Sequence, residues 1–341
     1  MSVDLALQGG GSHGAFTWGV LDALLEDGRL QFDGVSGTSA GAMNAAVLAS
    51  GWAKGGAAGA RQALAGFWHA VGGAGGCWAP QAPGMSSAAL PAWVFNRDQW
   101  PGFALWESWL KLWSPAQLNP FKLDPLRELV TAHVDIEAIK QGPIKLFIAA
   151  TSVRTGQPRI FDASDLSIDA LLASACLPQS AQTVVIDGEP FWDGGFSGNP
   201  ALWPLTYGTS SDDVLLVQIN PRVHEGIPQT AAEINDRVNE ITFNASLVAE
   251  LRAIAFVKKL LKHQQIDATH YKNLRLHRIA DEAGLAPFDA SSKLNTDPRL
   301  LQQLFELGRA AAARWLRDDL ASVGQRSSMD VEHLFLAPRG S

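Results

Sequence analysis

One serine in the sequence has neighbours that could make it a nucleophile. Gly37-Thr38-Ser39-Ala40-Gly41 reads G-x-S-x-G, a pattern typical of a sharp strand-to-helix turn with the serine at its apex. Residues 42–49 are good helix formers, so Ser39 is expected at a helix N-terminus, where the dipole favours developing negative charge. Taken alone, the pattern also fits a glycine-rich turn that opens a tightly packed helix and has no catalytic role.

A run of glycines near the N-terminus could supply hydrogen-bond donors. Gly9-Gly10-Gly11-Ser12-His13-Gly14 stands between a predicted buried strand, residues 3–7, and a helical pattern that ends at Asp27-Gly28. Consecutive glycines expose N–H groups that can point at one anion, and an acyl-transferring serine needs such donors. No G-K-[ST] follows, which excludes a P-loop, and Asp33 stands before the end of the second strand, which weakens a dinucleotide-binding interpretation. A plain tight turn is one remaining interpretation that the sequence allows for this loop.

An aspartate later in the chain is followed by two glycines. Residues 184–192 predict a hairpin that turns at Asp187-Gly188 and leads into Asp193-Gly194-Gly195. Alone, Asp-Gly-Gly is most simply a turn. A serine hydroxyl is a poor nucleophile until a base removes its proton.

The three motifs, in this order, resemble the patatin-like phospholipase family. That family pairs a G-G-G-x-[RK]-G loop with G-x-S-x-G about one βαβ unit later and carries its second catalytic residue in D-G-[GA]. The resemblance covers about residues 3–204 and implies that Ser39 is the nucleophile and Asp193 the general base. It implies an oxyanion hole formed by Gly9, Gly10, Gly11 and Ser12, and supporting motif positions at Gly14, Gly37, Gly41, Gly194 and Gly195.

The sequence departs from this family pattern at His13, where the family has Arg or Lys. The departure puts in question any role that needs a permanent cation there, but it leaves the backbone donors untouched. Asn199, in the segment after Asp193, continues the family pattern and could brace the loop.

A Ser-Asp-His triad in α/β-hydrolase order is the second arrangement that the sequence allows. Five histidines follow Asp193, namely His224, His263, His270, His277 and His333. None stands in a recognisable motif, so the Ser39–Asp193 dyad is favoured. A carboxylate is a weak base at its ordinary pKa, so the dyad needs a partly desolvated Asp193.

The elements around the motifs predict an α/β fold. Near-continuous apolar strands at 144–151 and 214–220 suit a parallel sheet. The resemblance implies a patatin-like three-layer α/β/α arrangement with a mostly parallel central sheet. Residues 1–322 are expected to form one domain, with a motif-bearing core at 3–204, a C-terminal helical part at about 228–322 and a mobile polar tail at 323–341. In the long helix predicted at 230–263, the residues with the spacing of one apolar face include Ile234, Val238 and Ile241.

A Trp-rich, Pro-broken region at about 77–120 is predicted as a helical insertion. Its prolines argue against one long helix. It could be a buried accessory subdomain, or a cap, mouth or interfacial belt for an acyl chain, because Trp combines a large apolar area with one polar N–H.

Composition limits the partners. The chain has 341 residues, 47% of them hydrophobic, and a net charge of −7, which argues against a general nucleic-acid binder. Cys77 and Cys176 form no C-x-x-C pair, so no metal, cofactor or disulfide framework is predicted. No basic n-region with an apolar run and no span of ~20 apolar residues is found. A cytoplasmic protein is expected, with peripheral membrane contact left open.

The resemblance implies a metal-free lipid acyl hydrolase. Its substrates would be carboxylic esters of phospholipids, lysophospholipids or acylglycerols, cleaved through an acyl-enzyme. The alternative enzyme functions are acyl transfer and hydrolysis of another hydrophobic ester, such as a storage polyester. An alternative of a different class is a lipid-binding protein without turnover.

Overall fold

The computed structural model of the chain describes residues 1–75, 95, 124–178, 181–223, 226–267 and 270–336. Apart from Phe95, the Trp-rich region lies outside the described residues, and the insertion predicted there stays a prediction. No helix in the described ranges is long and apolar enough to cross a bilayer.

The middle layer is a sheet of eight strands in the described part of the chain. In chain order they are β1 (Ser2–Leu7), β2 (Gln31–Thr38), β3 (Lys145–Ser152), β4 (Pro158–Phe161), β5 (Val184–Ile186), β6 (Glu189–Asp193), β7 (Asp213–Val217) and β8 (Arg275–Ile279). Their spatial order is β5-β6-β3-β2-β1-β7-β8, with β4 also paired to β3. Strands β3, β2, β1, β7 and β8 are parallel, whereas β4 and β6 run antiparallel to β3, and β5 antiparallel to β6. The predicted, mostly parallel sheet is confirmed.

Helices cover both faces of this sheet. They are α1 (Gly14–Asp27), α2 (Ala40–Gly75), α3 (Pro125–His133), α4 (Ile136–Gln141), α5 (Ile168–Ser174), α6 (Trp203–Gly208), α7 (Ala231–Lys262), α8 (Glu282–Leu285) and α9 (Pro298–Asp318). Shorter 3-10 turns lie at Gly11–His13, Gly194–Phe196, Ala290–Leu294 and Leu320–Ser322, and a π-helical turn at Glu332–Leu336. Helix α2 is interrupted at Gly55 and Gly56, whose backbone angles are not helical.

Alternate residues of the central strands enter two separate hydrophobic clusters. Leu5 and Leu7 of β1 pack with α1, α2 and α9, whereas Ala6 between them packs with α6, α7 and the C-terminal segment. In β7, Leu215 belongs to the first of these clusters and Leu216 to the second. Because helices cover both faces, these strands are apolar on both, as their sequences indicated. The three-layer α/β/α arrangement is therefore confirmed.

Helix α7 has the predicted bounds, but the first part of its predicted apolar face is not buried, although Val248 further along the same face packs against the core. Ile234, Val238 and Ile241 are 48%, 55% and 54% exposed. Leu247 and Leu251 on another side of the helix reach the core instead. Helical spacing identifies residues that share a face, and it does not identify which face the fold covers.

Residues 323–336, the first part of the predicted mobile tail, make contacts with the rest of the fold. The Met329 N–H donates to the carbonyl oxygen of Leu276 in β8 at 3.0 Å, and the Leu276 N–H donates to Ser327 Oγ at 3.1 Å. Met329 and Phe335 are buried in the cluster that includes α7. Two apolar side chains and an edge strand thus hold this segment against the fold.

Candidate active site

Ser39 lies at the junction of β2 and α2 with a left-handed backbone, φ +54°. A non-glycine residue rarely adopts this conformation, so the surrounding contacts must stabilise it. The Ser39 N–H donates to Ser174 Oγ of α5 at 2.9 Å. A Cβ on Gly41 would lie 2.2 Å from the carbonyl oxygen of Leu7, so only glycine lets α2 start this close to β1. The strand-to-helix turn predicted at the motif is present.

Strand β3 brings Ser39 and Asp193 together, because it pairs with both of the strands that lead to them. Ala149 pairs with Thr38 of β2, and the next residue, Ala150, pairs with Asp193 of β6. The Ser39 hydroxyl is near enough to the Asp193 carboxyl to lower its pKa, although no hydrogen bond of ordinary geometry joins the two side chains. The serine and the aspartate, distant in sequence, therefore share one site.

Asp193 is fully buried, and its surroundings favour the neutral carboxyl. Its Oδ1 accepts the Gly195 N–H at 2.7 Å, whereas Oδ2 has no hydrogen-bond partner among the described residues. Thr151 fixes the backbone by donating its hydroxyl to the Asp193 carbonyl oxygen at 2.8 Å. Burial raises the pKa of Asp193 to about 7, against the opposing effects of the Gly195 N–H and the Ser39 hydroxyl. The desolvation that a carboxylate base requires is present.

The glycine loop packs directly against Ser39. A Cβ on Gly9 would lie 2.6 Å from Ser39 Cβ, an approach that only glycine permits. The Gly9 N–H is engaged, since it donates to Asn199 Oδ1 at 2.6 Å. Within the described residues the structure gives no hydrogen bond to the N–H groups of Gly10, Gly11 and Ser12. Three successive N–H groups, in the loop that contacts Ser39 through Gly9, are thus without a partner among the described residues.

Buried amide side chains brace this loop. Gln8 Nε2 donates to the carbonyl oxygen of Asn199 at 3.2 Å, and Gln8 Oε1 accepts the N–H groups of Ile219 and Asn220 at 3.0 and 2.9 Å. Asn220 Nδ2 donates to the Gly9 carbonyl oxygen at 2.6 Å. Asn199 is a brace that the sequence predicted, whereas the roles of Gln8 and Asn220 were not predicted. The signal for both was an amide residue closely following a buried apolar strand.

The other motif glycines lie where backbone and side chains cross closely. A Cβ on Gly14 would lie 2.8 Å from Ala40 Cβ, and a Cβ on Gly37 would lie 2.5 Å from the Gly41 carbonyl oxygen. A Cβ on Gly194 would lie 2.1 Å from the Ala149 carbonyl oxygen, and a Cβ on Gly195 would lie 2.3 Å from Phe243 Cε1. Asn44 of α2 adds a polar tie, because its Nδ2 donates to the Gly14 carbonyl oxygen at 3.0 Å. These positions keep the three segments in contact.

His13 is buried and carries no charge. Its Nε2 is 2.7 Å from Ser292 Oγ, and its Nδ1 has no partner among the described residues. Burial, together with the positive charge of Lys293, lowers the pKa of His13 to about 3. Position 13 therefore cannot supply a cation at neutral pH.

No described histidine hydrogen-bonds to Ser39 or Asp193. The imidazole of His277 pairs with Asp213 instead, with Nε2 at 3.0 Å from Oδ1. The other candidates for a triad are exposed (His263, His270 and His333) or lie outside the described residues (His224). The same part of the chain has no group of three or more His, Cys, Asp or Glu residues that could hold a metal ion.

Comparison with known proteins adds the following. The sequence model of the Patatin-like phospholipase family matches residues 5–206. No curated protein sequence matches the chain. Among solved structures, VipD from Legionella pneumophila is similar over 89% of this chain and 66% of its own, with 15% identity and a TM-score of 0.39. ExoU from the type III secretion system of Pseudomonas aeruginosa, solved with SpcU, is similar over 91% of this chain and 52% of its own, with 16% identity and a TM-score of 0.28. The chain therefore spans just under two thirds of the length of the first and about half of the second.

Proposed function

We propose, since the chain belongs to the patatin-like phospholipase family, that it is a lipid acyl hydrolase with Ser39 as nucleophile and Asp193 as general base. The observation that carries the proposal is the fully buried Asp193 carboxyl beside the Ser39 turn, with one oxygen that has no partner among the described residues. Such a carboxyl can accept a proton from a neighbouring hydroxyl without first losing another hydrogen bond.

In the first step, Ser39 Oγ attacks the ester carbonyl carbon while the Asp193 carboxylate takes the hydroxyl proton. Because burial raises the pKa of Asp193 to about 7, the carboxylate is a stronger base than an exposed one and is still partly ionised at neutral pH. The proton then passes to the oxygen of the departing alcohol or lysolipid. An acyl-Ser39 ester remains, and water hydrolyses it with Asp193 again as the base.

The charge that develops on the carbonyl oxygen needs fixed donors. We assign them to the N–H groups of Gly10, Gly11 and Ser12, for which the described residues offer no other partner. Gly9 is left out of this set because Asn199 takes its N–H. Because Gly9 has no side chain, the loop can approach Ser39 closely.

The exposed face of α7 suits presentation of the substrate at a lipid surface. Ile234, Val238 and Ile241 form an exposed aliphatic stripe, and Phe243 of the same helix packs against Gly195 beside the dyad. The second half of the helix adds exposed cationic residues, namely Arg252, Lys259 and Lys262. An apolar stripe continued by cations matches an anionic phospholipid surface, so we expect peripheral contact there.

Ester hydrolysis and fluorophosphonate labelling test the dyad. We expect wild-type protein to be labelled at Ser39, and Ser39→Ala and Asp193→Asn proteins to lose at least about 10³-fold in kcat. Asp187→Asn, in the exposed turn of the same hairpin, and Ser164→Ala, also exposed, are the matched controls and should keep full activity. Full activity in either dyad variant would refute the assignment.

The same experiment separates the alternatives. Folded wild-type protein that binds vesicles but neither labels nor hydrolyses esters would be a lipid-binding protein. Ester products formed with an added alcohol would instead identify acyl transfer. A panel of phospholipid, lysophospholipid, acylglycerol and polyester substrates, scored by mass spectrometry, identifies the head group and the acyl position.

A further inference from the structure

A turn from the C-terminal part of the chain packs against the glycine loop. It comprises Ala290–Leu294 and lies outside residues 5–206, which match the family. A Cβ on Gly11 would lie 2.2 Å from the carbonyl oxygen of Lys293 and 3.3 Å from its Cβ. The preceding residue, Ser292, holds the imidazole of His13. Two consecutive residues of this turn therefore contact the loop that carries the free N–H groups.

The side chain of Lys293 reaches the same loop through one intermediary. Its Nζ donates to Asn220 Oδ1 at 2.9 Å, and Asn220 Nδ2 donates to the Gly9 carbonyl oxygen at 2.6 Å. An ammonium is a donor only, so it fixes which end of the Asn220 amide is the oxygen. The amide nitrogen must then face Gly9. Lys293, Asn220 and Gly9 form a directed chain of hydrogen bonds.

The Lys293 ammonium also places a positive charge close to the glycine loop. His13 on the loop is neutral, so it offers no cation. Asn220 Oδ1, which the ammonium contacts, lies 3.6 Å from the place that a Cβ on Gly10 would occupy. Burial disfavours the ammonium and lowers the pKa of Lys293, whereas the carboxylates of Glu240 and Asp236 on α7 and the acceptor Asn220 Oδ1 favour the protonated form. A cation that is shielded from bulk water stabilises a negative charge that develops nearby more strongly than an exposed cation would.

We propose that Lys293 is a positioning residue of the active site, which holds Asn220 against Gly9 and sets a positive charge beside the N–H groups that receive the oxyanion. The catalytic half of this inference rests on the proposed function. The positioning half concerns the loop alone and can be measured without any substrate.

The test compares Lys293→Met, which keeps most of the length and removes the charge, with Lys293→Arg and Asn220→Ala. Lys140→Met, at an exposed position, is the control. Two readouts are needed: kcat and KM on a short, uncharged p-nitrophenyl ester, and amide hydrogen exchange of the peptide covering residues 8–14. Circular dichroism and thermal melting confirm that each variant is folded.

We expect Lys293→Met to lower kcat by ~10–100-fold with KM changed less than about threefold, because the charge acts on the transition state. Exchange in the loop should become at least about tenfold faster. Lys293→Arg should recover most of kcat. Combining Lys293→Met with Asn220→Ala should cost little more than the larger single loss, since the two residues act in one chain.

Three results would overturn the proposal: kcat of folded Lys293→Met within twofold of wild type, unchanged loop exchange, or losses that multiply in the double variant. If the wild type itself neither hydrolyses esters nor reacts with a fluorophosphonate, the proposed function fails instead. The exchange measurement then decides the positioning role by itself, faster exchange supporting it and unchanged exchange refuting it.

Discussion

The backbone N–H of Gly9 donates a hydrogen bond to Asn199 Oδ1 at 2.6 Å. This bond joins the glycine loop after β1 to the segment that follows Asp193. Asn199 is fully buried, and its own N–H donates to Ser246 Oγ of α7 at 3.3 Å. Asn199 therefore joins three parts of the fold, because its side chain holds the glycine loop, its backbone N–H reaches α7, and it follows Asp193 closely in the chain.

Replacing Asn199 by Ala should weaken both the fold and the site. The variant leaves the buried Gly9 N–H without its acceptor, which costs about 1–3 kcal/mol of unfolding free energy. The loop loses its fixed position, so kcat should fall while the protein remains folded. Urea denaturation and ester turnover measure the two effects. A variant that matches the wild type within about 0.5 kcal/mol would show that the bond is dispensable.

The pH dependence of kcat/KM should report the Asp193 carboxyl. Only the ionised carboxylate can act as a base, and burial raises its pKa to about 7. We therefore expect kcat/KM to be constant above pH ~8 and to fall about tenfold per pH unit on the acid side of 7. The measurement is a pH–rate profile on a soluble ester with stability checked at each pH. An acid limb near pH 4, the ordinary carboxyl range, would contradict the buried base.

The same carboxyl should make stability depend on pH. Its pKa is 3.8 when exposed in the unfolded chain and is raised to about 7 in the folded chain, so the folded state binds the proton more tightly. The contribution to stability is complete below pH ~4 and is lost as the pH rises through 7. Asp193→Asn cannot ionise, so relative to the wild type it should gain about 1–4 kcal/mol between pH 4.5 and pH 8.5. Urea denaturation at both pH values measures this gain, and Asp187→Asn should show none.

The family resemblance of the three motifs implied the α/β fold and the pairing of Ser39 with Asp193, and the structure brings these two residues together through β3. The bracing residues were not predictable in the same way. Asn220 and Lys293 reach Gly9 and Gly11 from segments more than 200 residues away, and no local pattern marks such contacts. Periodicity likewise located α7 without indicating that the side with Ile234 is exposed.

Close approach at Gly41 should make this position intolerant of any side chain. Gly41→Ala would place a Cβ 2.2 Å from the Leu7 carbonyl oxygen, so either α2 or β1 must move. We expect a loss of several kcal/mol in stability and of fluorophosphonate labelling at Ser39. Gly73→Ala, in the same helix with no atom within 4 Å of the new Cβ, is the matched control and should be neutral or stabilising by up to ~1 kcal/mol. Equal behaviour of the two variants would refute the packing argument.

The C-terminal segment should contribute to the stability of the whole fold. Met329 is buried against the edge strand β8 in the cluster shared with α7, so Met329→Ala removes packed atoms and leaves a cavity. We expect unfolding free energy to fall by about 2–4 kcal/mol. Ile227→Ala, at a position 82% exposed, should change it by less than about 0.5 kcal/mol. Chemical denaturation of the three proteins distinguishes an anchored segment from a mobile tail, because in a mobile tail the Met329 side chain would be solvated in both states and its removal would leave stability unchanged.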